Sequence, residues 1–123
     1  MNAGLPDELN KKDLNPMSKN VTHYKDHIGS KPEKFYKTTL FQGEHLMLGM
    51  NCLEPGQVQS VHAHETQDKF YFVLEGKGHF TVGEEIIEAG NGEIIWAAAG
   101  IPHGVENKAG DRLVIFMGIA PSP

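Results

Sequence analysis

The chain predicts an all-β protein, a closed or sandwiched structure of jelly-roll type built from short antiparallel strands. Three observations carry this. Apolar and β-branched runs recur at short intervals from Glu33 onward. Turn residues separate nearly every pair of them, drawn from fourteen glycines and seven prolines in 123 residues. No segment beyond residue 33 sustains a helical period. A chain of this length forms one domain and closes a core without disulfides.

The elements follow in order. Residues 1 to 20 carry scattered apolar residues without helix or strand period, and Asn, Lys, Asp and Pro dominate. They read as an arm, disordered alone or laid on a partner. Val21 to Pro32 is transitional, so residues 1–33 form the arm and lead-in and 34–123 the barrel. Strands are expected at Phe35–Phe41, His45–Leu53, Ser60–His64, Lys69–Leu74, His79–Val82, Glu85–Ala89, Ile94–Ala97, Gly104–Asn107 and Leu113–Ile119. Phe70–Leu74 and Leu113–Ile119 are apolar on both faces. Such strands bury one face in the barrel and the other against a second sheet or subunit. Short exposed edges, and an arm able to add a strand to a neighbour, point to a homodimer.

Charge and cysteine content exclude several classes. The formal charge is −5 and no stretch concentrates Lys and Arg, which argues against a nucleic-acid partner. The single cysteine, Cys52, excludes an intramolecular disulfide and a thiolate-rich zinc site. The start of the chain lacks an apolar signal region, and no window approaches the ~18 apolar residues of a membrane span. A soluble protein in the reducing cytoplasm is the expectation, without a membrane partner.

Two segments carry the chemistry: Gly56-Gln-Val-Gln-Ser-Val-His62-Ala-His64 and Gly100-Ile-Pro-His103-Gly-Val-Glu-Asn107. On a strand, His62 and His64 leave the same face roughly 6.6 Å apart along the backbone. A third imidazole, His103, comes from a second strand region. An inward pair plus a third histidine makes a half-open facial site for one divalent ion. Of the other histidines, His23 and His27 read as surface residues, His79 can face either way, and His45 lines the cavity or meets solvent. Tyr71 and Trp96 read as packing residues that would shape a pocket if they faced it.

The two segments resemble the motifs of the cupin superfamily, and in particular a small single-domain conserved-barrel cupin. The first motif reads Gly56, His62, His64, then Lys69 in the place of a glutamate, then Gly76. The second reads Gly92, Ala98 in the usual proline position, Gly100, His103 and Asn107. The resemblance spans residues 56–107 and implies a β-barrel with a metal at its mouth. His62, His64 and His103 carry over as ligands; the glutamate does not.

An ammonium at position 69 donates no lone pair and is repelled by a divalent cation. Three outcomes are open. Lys69 turns aside toward Glu65, Glu75 or another carboxylate, leaving three histidines completed by water. A neighbour replaces the glutamate: strand parity puts Gln67 on the face of Lys69, while Asp68 faces away unless a bulge intervenes. Or the metal is lost and Lys69 supplies the positive charge. Gln67 is the expected fourth protein ligand.

An ion held only by neutral imidazoles keeps its full charge and favours anionic oxygen donors. The expected ion is one divalent metal, Fe, Mn, Ni or Zn. The ligand is then a small oxygen-rich anion, handled by dioxygenase or by isomerase/lyase chemistry. Lys69 is the candidate catalytic residue, as a base or as a partner for a substrate carboxylate. The alternative is a binding module for a small molecule that does no chemistry, with structural metal or none.

Overall fold

In the computed structural model, residues 18–123 are described, and the larger part of the expected arm, residues 1–17, lies outside them. Nine strands follow a short 3-10 turn, Tyr24–His27. They are β1 (Tyr36–Gln42), β2 (Met47–Leu53), β3 (Val58–His62), β4 (Asp68–Glu75), β5 (Lys77–Val82), β6 (Glu85–Gly90), β7 (Ile94–Ala97), β8 (His103–Glu106) and β9 (Leu113–Ala120). Every expected strand is present, and no α-helix occurs among the described residues.

The strands form two antiparallel sheets, ordered β1-β2-β9-β4-β7 and β3-β8-β5-β6. Alternation along β4 and β9 explains the layers. Tyr71, Val73, Leu113, Ile115, Met117 and Ile119 point between the sheets and meet Leu53, Phe80, Ile95 and Val105. The opposite face of the five-stranded sheet is also apolar. Part of it, Met50, Cys52 and Val114, is covered by Tyr24 and Ile28 of the lead-in. Tyr24 also donates its hydroxyl to Glu75 Oε2 at 3.0 Å. The apolar character of both faces thus has a local cause for the part of that outer surface around Met50, Cys52 and Val114.

Several strand ends shift by one or two residues from expectation, and two of the shifts bear on the site. β3 ends at His62, so His64 lies beyond the strand. β8 begins at His103 itself, which makes that histidine a ladder residue and not part of the preceding turn. Asn107 lies just past β8 and is fully buried. Its amide donates to Leu53 O at 2.8 Å and Asp111 O at 2.9 Å, and its Oδ1 accepts from Ala109 N at 3.0 Å. With all three partners made, Asn107 anchors the loop that leads into β9.

Candidate metal centre

His62, the last residue of β3, pairs directly with His103, the first residue of β8. A register irregularity between Gln59 and His62 distorts the ladder just before this pair. His64 stands two residues on, and its carbonyl accepts the Gly100 N–H at 2.8 Å. Gly100 makes this approach at φ +81°, a left-handed conformation that costs glycine nothing sterically. The same turn is held from β4 by Asp68, whose Oδ1 accepts from Ala99 N at 2.9 Å. Turn and strand end are thereby locked together around the three imidazoles.

Ring orientation is set by backbone carbonyls. His62 Nδ1 lies 2.8 Å from Ser60 O, and His103 Nδ1 lies 2.9 Å from Ile101 O. A carbonyl only accepts, so each Nδ1 carries the proton and each Nε2 keeps its lone pair. The Nε2 of His103 is buried with no hydrogen-bond partner. The Nε2 atoms of His62 and His64 are 3.2 Å apart. Ligand nitrogens of all three residues lie within 4.8 Å of one another. Two imidazoles bound at about 2.1 Å to one ion, at right angles, hold their nitrogens about 3 Å apart. The residues fit the group: the three-histidine cluster could hold one metal ion.

The electrostatics agree. Burial pushes His64 below the usual histidine value, and the His62 and Lys69 charges push the same way, while the Gln67 side chain, as a hydrogen-bond acceptor, opposes them. Burial also lowers His103. Its bond to Ile101 O opposes this, while Lys69, His62 and His64 add to the lowering. Both rings are held toward the neutral form that a metal ligand needs.

The cluster opens on a cavity of about 360 Å³ between the sheets, lined by His62, His64, Lys69, Lys37, Asn51 and Gln59, with Met47, Gly49, Met117 and Ile119 as its apolar wall. Its lining includes no carboxylate among the described residues. Lys69 occupies an inward position on β4, between Ala97 and Ile119, and is 3% exposed. Its Nζ lies 4.5 Å from the centre of the Tyr71 ring. Burial, with Lys37 adding, brings the Lys69 ammonium down to about 8. The expected turn of Lys69 toward Glu65 or Glu75 does not occur. The pleat aims position 69 inward, and Glu75 is engaged by Arg112 Nη2 at 3.7 Å and by the Tyr24 hydroxyl.

Gln67 lies just before β4, half-buried beside His64, and its Nε2 donates to Pro121 O at 3.0 Å. Asp68 faces the 98–101 turn, as parity requires. Tyr71 is fully buried and donates its hydroxyl to Gln59 Oε1 at 2.7 Å, and burial raises its pKa. Trp96 points outward, 59% exposed. His23 and His45 are exposed, His27 meets Thr22 Oγ1 at 2.6 Å, and His79 pairs with Glu88 at 3.4 Å, all outside the site. Sequence reasoning missed Asn51, Gln59 and Lys37. A signal existed for Asn51, which interrupts the apolar run of β2 at an inward position.

Comparison with known proteins agrees with this architecture. The cupin domain family matches residues 49–119, a span that contains all three histidines. A protein of known crystal structure from Thermus thermophilus is 38% identical with a TM-score of 0.81, covering 84% of this chain and 98% of that one. An RmlC-like cupin protein from Desulfovibrio desulfuricans is 27% identical with a TM-score of 0.69, covering 76% and 89%. An uncharacterized protein of Streptomyces coelicolor is 29% identical over 72 residues, 58% of this chain and 68% of that protein. With more than half of its length matched and its two-sheet barrel carrying the histidines of both motifs, the chain belongs to the cupin domain family.

Proposed function

We propose that this protein is a metal-dependent enzyme acting on a small, oxygen-rich organic anion. His62, His64 and His103 would hold the ion. One observation carries the reading: three imidazoles with free or converging Nε2 atoms open on a cavity lined by two lysines and, among the described residues, no carboxylate. A divalent ion bound there supplies Lewis-acid polarisation of an oxygen function.

The chain's own residues favour proton transfer, of isomerase or lyase type, over the dioxygenase alternative. Lys69 is buried in the cavity beside the aromatic face of Tyr71, with no ion-pair partner among the described residues. Its neutral amine can take a proton from a carbon next to a carbonyl, the C–H electron pair passing to the carbonyl oxygen, and return it at another position. Lys37 at the mouth attracts the anion. Gln67, expected as a fourth ligand, would in this reading orient His64 by accepting a hydrogen bond from its ring. We also propose a homodimer, formed through the outer face of the five-stranded sheet.

The test is hydrogen exchange followed by NMR. Metal-loaded protein is incubated in D₂O with a panel of small oxo acids and diketones, with and without oxygen. Deuterium entering beside a carbonyl, lost in Lys69→Met, is the expected result. Consumption of substrate only under oxygen would favour the dioxygenase reading. Tight binding of these anions with neither outcome would make the protein a binding module.

A further inference from the structure

Asn51 is a buried amide without a job in the fold. It is 4% exposed, it lines the cavity, and its Nδ2 has no hydrogen-bond partner among the described residues. An unmet donor in such a place costs about 1–3 kcal/mol, so a native chain keeps one where something else completes it. Its companion residues Leu53, Met47 and Gly49 on the same face of β2 are apolar or bare, so the amide is not part of a polar network along the strand.

The surroundings say what would complete it. Lys37 stands directly opposite Asn51 on the β1–β2 ladder, exposed, at the open edge of the sheet and lining the same cavity. Across the barrel, Gln59 gives its Oε1 to the Tyr71 hydroxyl and retains its NH₂ as a donor. An amide N–H next to an ammonium, with no competing carboxylate in the lining, recognises a carboxylate.

Register fixes the separation between this point and the site already described. Asn51 pairs with Ile115, which pairs with Val73, whereas Lys69 lies in the row of Met47 and Ile119. Four residues along β2 separate the two rows, about 13 Å along the strand at about 3.3 Å per residue. The long Lys69 side chain, reaching to Tyr71, shortens the gap. Between the rows lie Met117 and Gly49. A Cβ on Gly49 would meet Thr38 O at 2.9 Å and Met117 Sδ at 3.0 Å, so Met117 packs directly on Gly49, and the thioethers of Met117 and Met47 form the apolar surface between the two rows.

We propose that Asn51 and Lys37 form a carboxylate subsite on the sheet facing the histidines, so that the protein takes an organic acid with two oxygen functions. One is a carboxylate on Asn51 and Lys37, and the other faces His62, His64 and Lys69. This rests on the proposed metal-dependent function and narrows its substrate class to dicarboxylates and acids of equivalent span.

Calorimetric titration of the full chain tests it, using succinate against butyrate, which keeps four carbons and lacks the second carboxylate. The Zn²⁺-loaded protein is expected to prefer succinate by at least about tenfold, since a charge-assisted pair is lost with butyrate. Asn51→Asp keeps the side-chain shape and reverses its preference, and it is expected to abolish the discrimination with zinc stoichiometry unchanged. Lys37→Glu, an exposed substitution that leaves the core untouched, is expected to weaken succinate and not butyrate, and keeps the test decisive if Asn51→Asp fails to fold. Equal binding of the two acids, or discrimination that survives both substitutions, overturns the subsite and leaves the metal-dependent reading standing. Should no zinc bind, that reading fails by itself. The same titrations on the metal-free protein then decide the subsite: discrimination lost on Asn51→Asp or Lys37→Glu supports it, and discrimination unaffected by both, or absent, overturns it.

Discussion

His62 and His103 face each other directly across the β3–β8 ladder, with ring centroids 4.6 Å apart, and each donates its Nδ1 hydrogen to a backbone carbonyl two residues earlier in the chain. The shared device is a residue fixing its own tautomer through its local backbone. It leaves both Nε2 lone pairs aimed into the same space before any ion arrives.

Removing His103 should therefore separate stability of the fold from stability gained on metal. Its Nε2 makes no hydrogen bond among the described residues, and the bond lost at Nδ1 leaves Ile101 O, on a residue 39% exposed, within reach of water. His103→Leu is expected to change the metal-free melting temperature by only a few degrees while abolishing the rise on adding metal. For the wild type that rise corresponds to about 4 kcal/mol at a thousandfold excess over Kd. Differential scanning fluorimetry with and without metal checks both halves.

Gln67 gives a graded result. If it holds His64 through its side-chain hydrogen bond, Gln67→Ala lowers metal affinity about tenfold to a hundredfold at unchanged stoichiometry, the usual effect of losing a group that orients a ligand. Competition with a chromophoric chelator measures it. An unaltered affinity would remove Gln67 from the site.

Lys69 predicts a pH dependence of the metal-free protein. Its folded value is about 8 against the usual 10.5. Below pH 8 both folded and unfolded chains hold the proton, and the buried ammonium is a full penalty. Between about pH 8 and 10.5 the unfolded chain binds more protons, so stability rises with pH; above 10.5 the penalty is gone. Lys69→Met is then more stable than wild type at pH 7 by roughly 3 kcal/mol, and the gap closes toward pH 10.5. Urea melts of both proteins at pH 7, 9 and 10.5 check it. A gap independent of pH would place the ammonium in water.

The proposed homodimer rests on β7, the edge of the five-stranded sheet opposite β1. Ile94 and Trp96 are 69% and 59% exposed there, beside half-buried Phe70, Phe72 and Phe116 on the same face. A large apolar surface next to an unpaired strand edge favours a second copy of the same face. Trp96→Lys is expected to shift the sedimentation coefficient from dimer to monomer with the circular dichroism spectrum retained. A wild type that sediments as a monomer contradicts it.

Strand existence was legible throughout, because alternation and turn residues act locally. The three-histidine cluster was legible from the spacing of His62, His64 and His103 in two glycine-marked segments. What escaped was set by pairing across the sheets. The expected strand begins at Gly104, one residue after His103, whereas the ladder takes His103 in opposite His62. His64 leaves the strand, and it reaches the site through the Gly100 N–H on its carbonyl, a contact between segments far apart in the chain. The inward aim of Lys69 follows from parity, but the absence of a carboxylate within its reach depends on where Arg112 and Tyr24 hold Glu75. Asn51 and Lys37 meet only through the β1–β2 register.

Whether three imidazoles converge on one ion is read from elemental analysis of untagged protein purified from cells grown without metal supplementation, beside its His62→Ala variant. About one iron, manganese, nickel or zinc per chain, absent from the variant, is the predicted result. Less than about a tenth of an ion per chain, with no uptake on soaking, would contradict the metal site and leave a cationic cavity built around Lys69.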